Sequence, residues 1–159
     1  VGTSACNSRS TSGEVAGADT LQSKAIISPA DTLPQGEVIV MNKALFIERV
    51  FDYEKSSEWK YKGTLPAIID LYADWCGPCR RVAPIMQELA REYAGRIVIY
   101  KVNVDKEREL AALFQASSIP TFVFIPKDEL PQLMQGATTK ENYKQAIDSF
   151  LLKEQKEQN

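Results

Sequence analysis

Residues 66–80 read Pro66-Ala67-Ile68-Ile69-Asp70-Leu71-Tyr72-Ala73-Asp74-Trp75-Cys76-Gly77-Pro78-Cys79-Arg80. The first part, Ala67–Tyr72, is almost wholly apolar, as expected of a strand buried on both faces. From Cys76 to about Tyr93 the pattern becomes helical, with Val82, Ile85, Met86 and Leu89 forming one apolar stripe. Two cysteines two residues apart at a strand exit and helix start read as a redox site. A Gly-Pro spacer lets them close a small disulfide ring and reopen it without unfolding anything else. Cys76 lies where a helix leaves N–H groups without partners, which favours its thiolate, the form that attacks disulfides. Pro78 suits the first helical turn, where a missing N–H loses no partner.

Outward from this stretch the elements alternate. Val38–Met41 reads as a strand. Asn42 is placed to cap a helix over Lys43–Glu54, with Phe46, Ile47, Val50 and Phe51 on its inner face. Ser56–Thr64 is a polar connection. Pro84 should kink the Cys76 helix, and Gly95 fits its stop. Ile97–Val104 is the third strand. Glu107–Phe114 is a short helix burying Leu110, Leu113 and Phe114, and Thr121–Ile125 is a strand. Leu130–Gln135 is a strand whose Pro131 suits an edge. Thr138 or Thr139 caps a last helix facing inward through Tyr143, Ile147, Phe150 and Leu151. The order β-α-β-α-β-α-β-β-α defines an α/β domain with a mixed sheet.

Composition narrows the function. The 159 residues suit one domain, read as 37–153, with an extension at 1–36 and a fraying end at 154–159. Residues 1–36 lack aromatics and are rich in small and polar types, which reads as a flexible tether. Net charge is −2, giving no nucleic-acid footprint, and no run approaches the ~20 apolar residues that span a bilayer. The chain has no histidine and three cysteines. A structural zinc site needs four ligands, and the motif offers only two thiols, with Cys6 the remaining one.

Trp75-Cys76-Gly77-Pro78-Cys79 closely resembles the active-site motif of the thioredoxin family. Asp70 stands six residues before Cys76, Pro84 eight after it, and Lys101-Val102-Asn103-Val104-Asp105 resembles the family's third strand. Ile119-Pro120-Thr121 is similar to its cis-proline loop and Gly136 to its late glycine. The resemblance runs from about Glu37 to Lys153. It implies the thioredoxin fold, a mixed sheet of about five strands flanked by four helices. It also implies a protein-disulfide reductase that needs no bound cofactor.

The resemblance further implies roles for single residues. Cys76 is the nucleophile and Cys79 the less exposed resolving thiol. Asp70, a carboxyl in an apolar strand, is a buried acid with raised pKa that takes the Cys79 proton. Lys101 lies near this acid and holds its proton affinity in range. Pro120 is cis, against the cysteine pair, and presents the Ile119 backbone to an extended substrate by strand-like pairing. Trp75 offers an apolar patch, and Gly136 permits close approach from the far side. Gly77 and Pro78 set the redox poise: the family's oxidants and isomerases carry a histidine in this spacer. The departure is Ser117-Ser118, where the family often has glycine or arginine.

The partners expected are protein disulfides and an upstream reductase or membrane electron relay, with the chain a monomer and no nucleic acid bound. Thr3-Ser4-Ala5-Cys6 resembles the end of a bacterial lipoprotein signal, although the apolar segment that should precede it is absent before Val1. Export to the periplasm, with Cys6 as a lipid attachment site, is the expectation, against a cytoplasmic alternative. The rival functions are a thiol oxidase or isomerase, and a binding module that keeps only the fold.

Overall fold

The computed structural model describes Gly2 and residues 33–154. Cys6, most of the 1–36 extension and residues 155–159 fall outside the described residues. Strands β1 (Val38–Val40), β2 (Ala67–Tyr72), β3 (Val98–Asn103), β4 (Thr121–Ile125) and β5 (Gln132–Gln135) form one sheet in the order β1-β3-β2-β4-β5. β1, β3 and β2 run parallel, and β4 and β5 join antiparallel. Helices α1 (Lys43–Arg49), α2 (Gly77–Glu92), α3 (Arg108–Leu113) and α4 (Lys140–Ala146) flank it, α4 ending in a π-helical turn over Ile147–Leu151. This is the predicted α/β order and a thioredoxin-like arrangement.

β2 is central because its residues can only be satisfied there. Ala67, Ile68, Ile69 and Leu71 are fully buried, and β2 is hydrogen-bonded on both sides. Alternation sends Ala67, Ile69 and Leu71 into one apolar cluster, with Phe46, Val50, Val102 and Leu110. Ile68 points into the other, with Val82, Met86 and Leu89 of α2 and Tyr143, Ile147 and Leu151. Each such side chain contributes about 1.5–3 kcal/mol on burial, so α2 is fixed mainly by its inner stripe.

Several elements differ from the sequence expectation. α1 ends at Arg49 rather than Glu54. Its last carbonyls are taken from outside: Lys62 donates its N–H to Val50 O (2.9 Å) and its ammonium to Ile47 O (2.6 Å). The chain then turns inward to pack Phe51 against Trp59, their rings tilted at 45° with centroids 4.9 Å apart. Leu113 is exposed, since the short α3 buries only Leu110 and, just past its end, Phe114. Pro131 precedes β5 instead of lying in it. Thr139, not Thr138, caps α4 by accepting the Asn142 N–H. Helix α2 continues through Pro84, which lies on its exposed side.

Two contacts reach ahead of Glu37. Leu33 packs against the first apolar cluster, and Gln35 Oε1 accepts the Gly95 N–H at 2.7 Å, holding the turn that ends α2. Gly95 adopts φ +77°, a conformation that favours glycine. A chain beginning at Glu37 is therefore expected to be about 1–2 kcal/mol less stable than one beginning at Leu33, from lost apolar burial and one hydrogen bond. Its disulfide-reducing rate should be unchanged. Urea melts and insulin-reduction assays of the two chains check this, and equal midpoints would show that Leu33 contributes nothing.

Candidate active site

The site forms where β2 ends and α2 begins. Cys76 is the residue before the helix, in extended conformation, and its Sγ accepts the Cys79 backbone N–H at 3.2 Å. The sulfur thus does the work of an N-capping oxygen. Gly77 and Pro78 are the first helical residues, so Pro78 meets a position with no hydrogen bond to lose. Cys79 follows one turn in, and the two cysteines are joined as a disulfide with Cα atoms 5.3 Å apart. Cys79 is not markedly the more buried of the pair, as the sequence suggested. In the disulfide state both are covered, at 4% and 3% exposure. Position on the helix end, rather than exposure, is what distinguishes them: only Cys76 faces an unspent backbone N–H.

A second loop closes over this junction. The Ile119–Pro120 peptide is cis, Pro120 is buried, and Ile119 O lies 3.8 Å from Cys76 Sγ. The Thr121 hydroxyl donates to Ser118 O at 2.6 Å across the turn. Gly136 donates its N–H to Pro120 O at 2.8 Å. It has φ +82° and open space where a Cβ would be, so its glycine serves the backbone turn. Trp75 is 68% exposed, which rules out a core role, and its indole N–H donates to Asp105 Oδ2 at 2.9 Å. The hydrogen bond anchors the indole, leaving its apolar ring exposed next to the cysteines in sequence.

Asp70 lies behind the pair. It is 5% exposed, on the face of β2 that α2 covers, and its Oδ1 has no hydrogen-bond partner. Lys101 is its register partner on β3, half-buried rather than fully exposed. Burial pushes the Asp70 carboxyl up to about 7, and the nearby Lys101 charge limits the rise. Tyr72, two residues along the same face, packs against Cys76, Cys79 and Ala73. Sequence reasoning missed Tyr72, Asp105 and the Thr121 hydroxyl. The period-two spacing of Asp70 and Tyr72 was the available signal for the first. Thr121 was visible only as part of the Ile-Pro-Thr tripeptide. Among the described residues no group of three or more His, Cys, Asp or Glu side chains is arranged to hold a metal.

A helix-capping, disulfide-forming Cys-x-x-Cys faced by a cis-proline loop defines a thiol–disulfide oxidoreductase. The Thioredoxin family model matches residues 48–149. The chain is 40% identical over 105 residues to a thioredoxin of Borreliella burgdorferi, covering 66% of this chain and 90% of that one. It is 41% identical over 83 residues to thioredoxin 1 of Chlorobaculum tepidum, 52% of this chain and 82% of the other. In fold it is similar to a variant thioredoxin from Halobacterium salinarum (TM-score 0.61, 23% identity, 76% of this chain and 96% of that one). The chain belongs to the thioredoxin family. It is a protein-disulfide reductase acting by dithiol–disulfide exchange through Cys76 and Cys79, with protein disulfides as substrates and a reductase as electron donor.

The Asp70 environment makes a pH-dependent prediction. Its folded pKa of about 7 lies above the ordinary carboxylate value of 3.8, so the folded state binds the proton more tightly. The associated stability is fully present below the unfolded value and is lost as pH rises through the folded one. At about 1.4 kcal/mol per pH unit, the ionised carboxylate costs the fold about 4 kcal/mol at pH 7.5. Asp70→Asn in the oxidised protein should gain about that much at pH 7.5 and under about 1 kcal/mol at pH 4. Denaturant melts at the two pH values measure it, and no gain at pH 7.5 would refute the buried-acid reading.

Proposed function

We propose that Cys76 opens the reaction and that Cys79, with Asp70 as its proton acceptor, completes it. The observation that carries this reading is the Cys79 N–H directed at Cys76 Sγ at 3.2 Å. In the reduced protein that donor stabilises a Cys76 thiolate. The thiolate attacks one sulfur of a substrate disulfide. A mixed disulfide forms, and the substrate's other sulfur leaves as a thiolate and takes up a proton. Cys79 then gives its proton toward Asp70 and attacks Cys76 Sγ. The mixed disulfide breaks, the second substrate thiol is released, and the Cys76–Cys79 disulfide remains. Two electrons have passed to the substrate, and an upstream dithiol restores the pair.

The substrate backbone lies along Ile119, beside the cis Pro120, with Trp75 as apolar neighbour. Pairing through main chain tolerates many side chains, which suits a reductase of varied proteins. Cys76→Ser should abolish reduction, whereas Cys79→Ser should accumulate mixed disulfides through Cys76. Non-reducing gels and mass mapping read both, and substrates trapped through Cys79 in the Cys76→Ser protein would reverse the assignment.

We further propose that the domain works as a monomer on the export side of a membrane, tethered through a lipid on Cys6. The small residues Thr3-Ser4-Ala5 ahead of Cys6 support this, as does the small, polar composition that follows. The gene expressed with its natural upstream sequence should yield a membrane fraction that incorporates labelled fatty acid. Cys6→Ala should release the protein and lose the label; label retained in that variant, or none in either, would refute the anchor.

A further inference from the structure

Asp70 and Lys101 sit opposite each other in the β2–β3 register, on strands about 4.8 Å apart. Both side chains leave the same face, and a lysine stem easily spans that gap. Opposite charges so placed would ordinarily close into an ion pair. Here they do not. Asp70 Oδ1 is buried without a partner, and Lys101 Nζ stands 5.6 Å from the centroid of the Tyr72 ring. Tyr72 lies on that same face of β2, diagonal to Lys101. A cation over an aromatic face is a recognised attraction, and closing a buried ion pair requires stripping water from the ammonium. The two positions of the lysine are therefore close enough in free energy for one ring to decide between them.

We propose that Tyr72 is a positioning residue: its ring holds the Lys101 ammonium off the Asp70 carboxyl, so that the two in-register charges do not close into an ion pair. The consequence for the reaction follows from proton affinity. A carboxylate in contact with an ammonium binds protons weakly, and Asp70 would then be a poor acceptor for the Cys79 proton near neutral pH. Tyr72 is itself well held. It packs against the cysteine pair and is the register partner of Asn103, whose Nδ2 lies 3.4 Å from Asp74 Oδ2.

The other neighbours of Asp70 do not take the role. From β4 its register partner is the apolar Phe122; from α2, Cys79 and Val82 are buried, while Arg80 and Arg81 are exposed. α4 contributes Tyr143, a phenol kept neutral by burial, whose hydroxyl accepts the Thr138 N–H. Asp74, next along the β2 exit, is exposed and negative. Lys101 is thus the cation whose placement matters.

The inference rests on the reading of Asp70 as proton acceptor for its bearing on turnover, but it has an independent readout. The Asp70 carboxyl can be titrated by carbon-13 NMR in the oxidised full chain. Tyr72→Leu should lower its midpoint by about one pH unit, a tenfold weaker proton affinity, as Lys101 swings onto it. Tyr72→Phe, which keeps the ring, should leave the midpoint within about 0.3 unit. In a Lys101→Met background, Tyr72→Leu should produce no drop. A Tyr72→Leu midpoint that stays or rises overturns the proposal. So does an equal drop without Lys101, which would mean water entering the space the ring vacated. Should Tyr72→Leu not fold, Tyr72→Met gives the same comparison. If the midpoints move as expected but the pH profile of Cys79 resolution does not follow, the placement of Lys101 stands and the acceptor role of Asp70 falls.

Discussion

One hydrogen bond, from the Cys79 backbone N–H to Cys76 sulfur, ties the chemistry to the fold. Every helix must find partners for its first N–H groups, and α2 meets part of that need with a cysteine instead of a serine or aspartate. On the proposed mechanism, the same donor that completes the helix also stabilises a Cys76 thiolate in the reduced protein. It stays in place only because α2 is seated on the sheet by Val82, Met86 and Leu89, and because β2 delivers the chain to that point from the middle of the sheet. Packing far from the sulfur therefore governs how well the sulfur reacts.

Asp70 works against that packing. Its strand neighbours Ile69 and Leu71 are fully buried, and a valine or isoleucine at 70 would suit the sheet better. Burial raises the carboxyl's proton affinity, and on the proposed mechanism that is what lets it accept the Cys79 proton near neutral pH. Around it the polar groups are arranged rather than neutralised, with Lys101 across the register and Tyr72 along the strand. A fold optimised only for stability would have removed the charge or paired it.

Much of this was legible in the sequence. The apolar run before Cys76 and the stripe after it could belong only to a buried strand feeding a helix, and Asn42 announced the cap of α1. The site residues were legible where they sat in compact motifs, as Cys76 and Pro120 did. What stayed hidden depended on contacts distant in sequence. The early end of α1 is set by Lys62, thirteen positions beyond it. The orientation of Trp75 is set by Asp105, and Tyr72 reads locally as one more strand aromatic. The comparable exposure of the two cysteines could not be foreseen either, because Tyr72, Val104 and Ile119, from three different segments, pack against their cluster.

The Ile119 loop approaches from 43 residues away, carried in on β4. A segment ending before Ile119 holds both cysteines, the acid and the lysine, yet lacks the backbone that the proposed mechanism lays a substrate along. It also leaves β2 with an open hydrogen-bonding edge. Without β4 the cysteines stand beside an incomplete sheet; with it, the cis Ile119–Pro120 turn is held against Cys76.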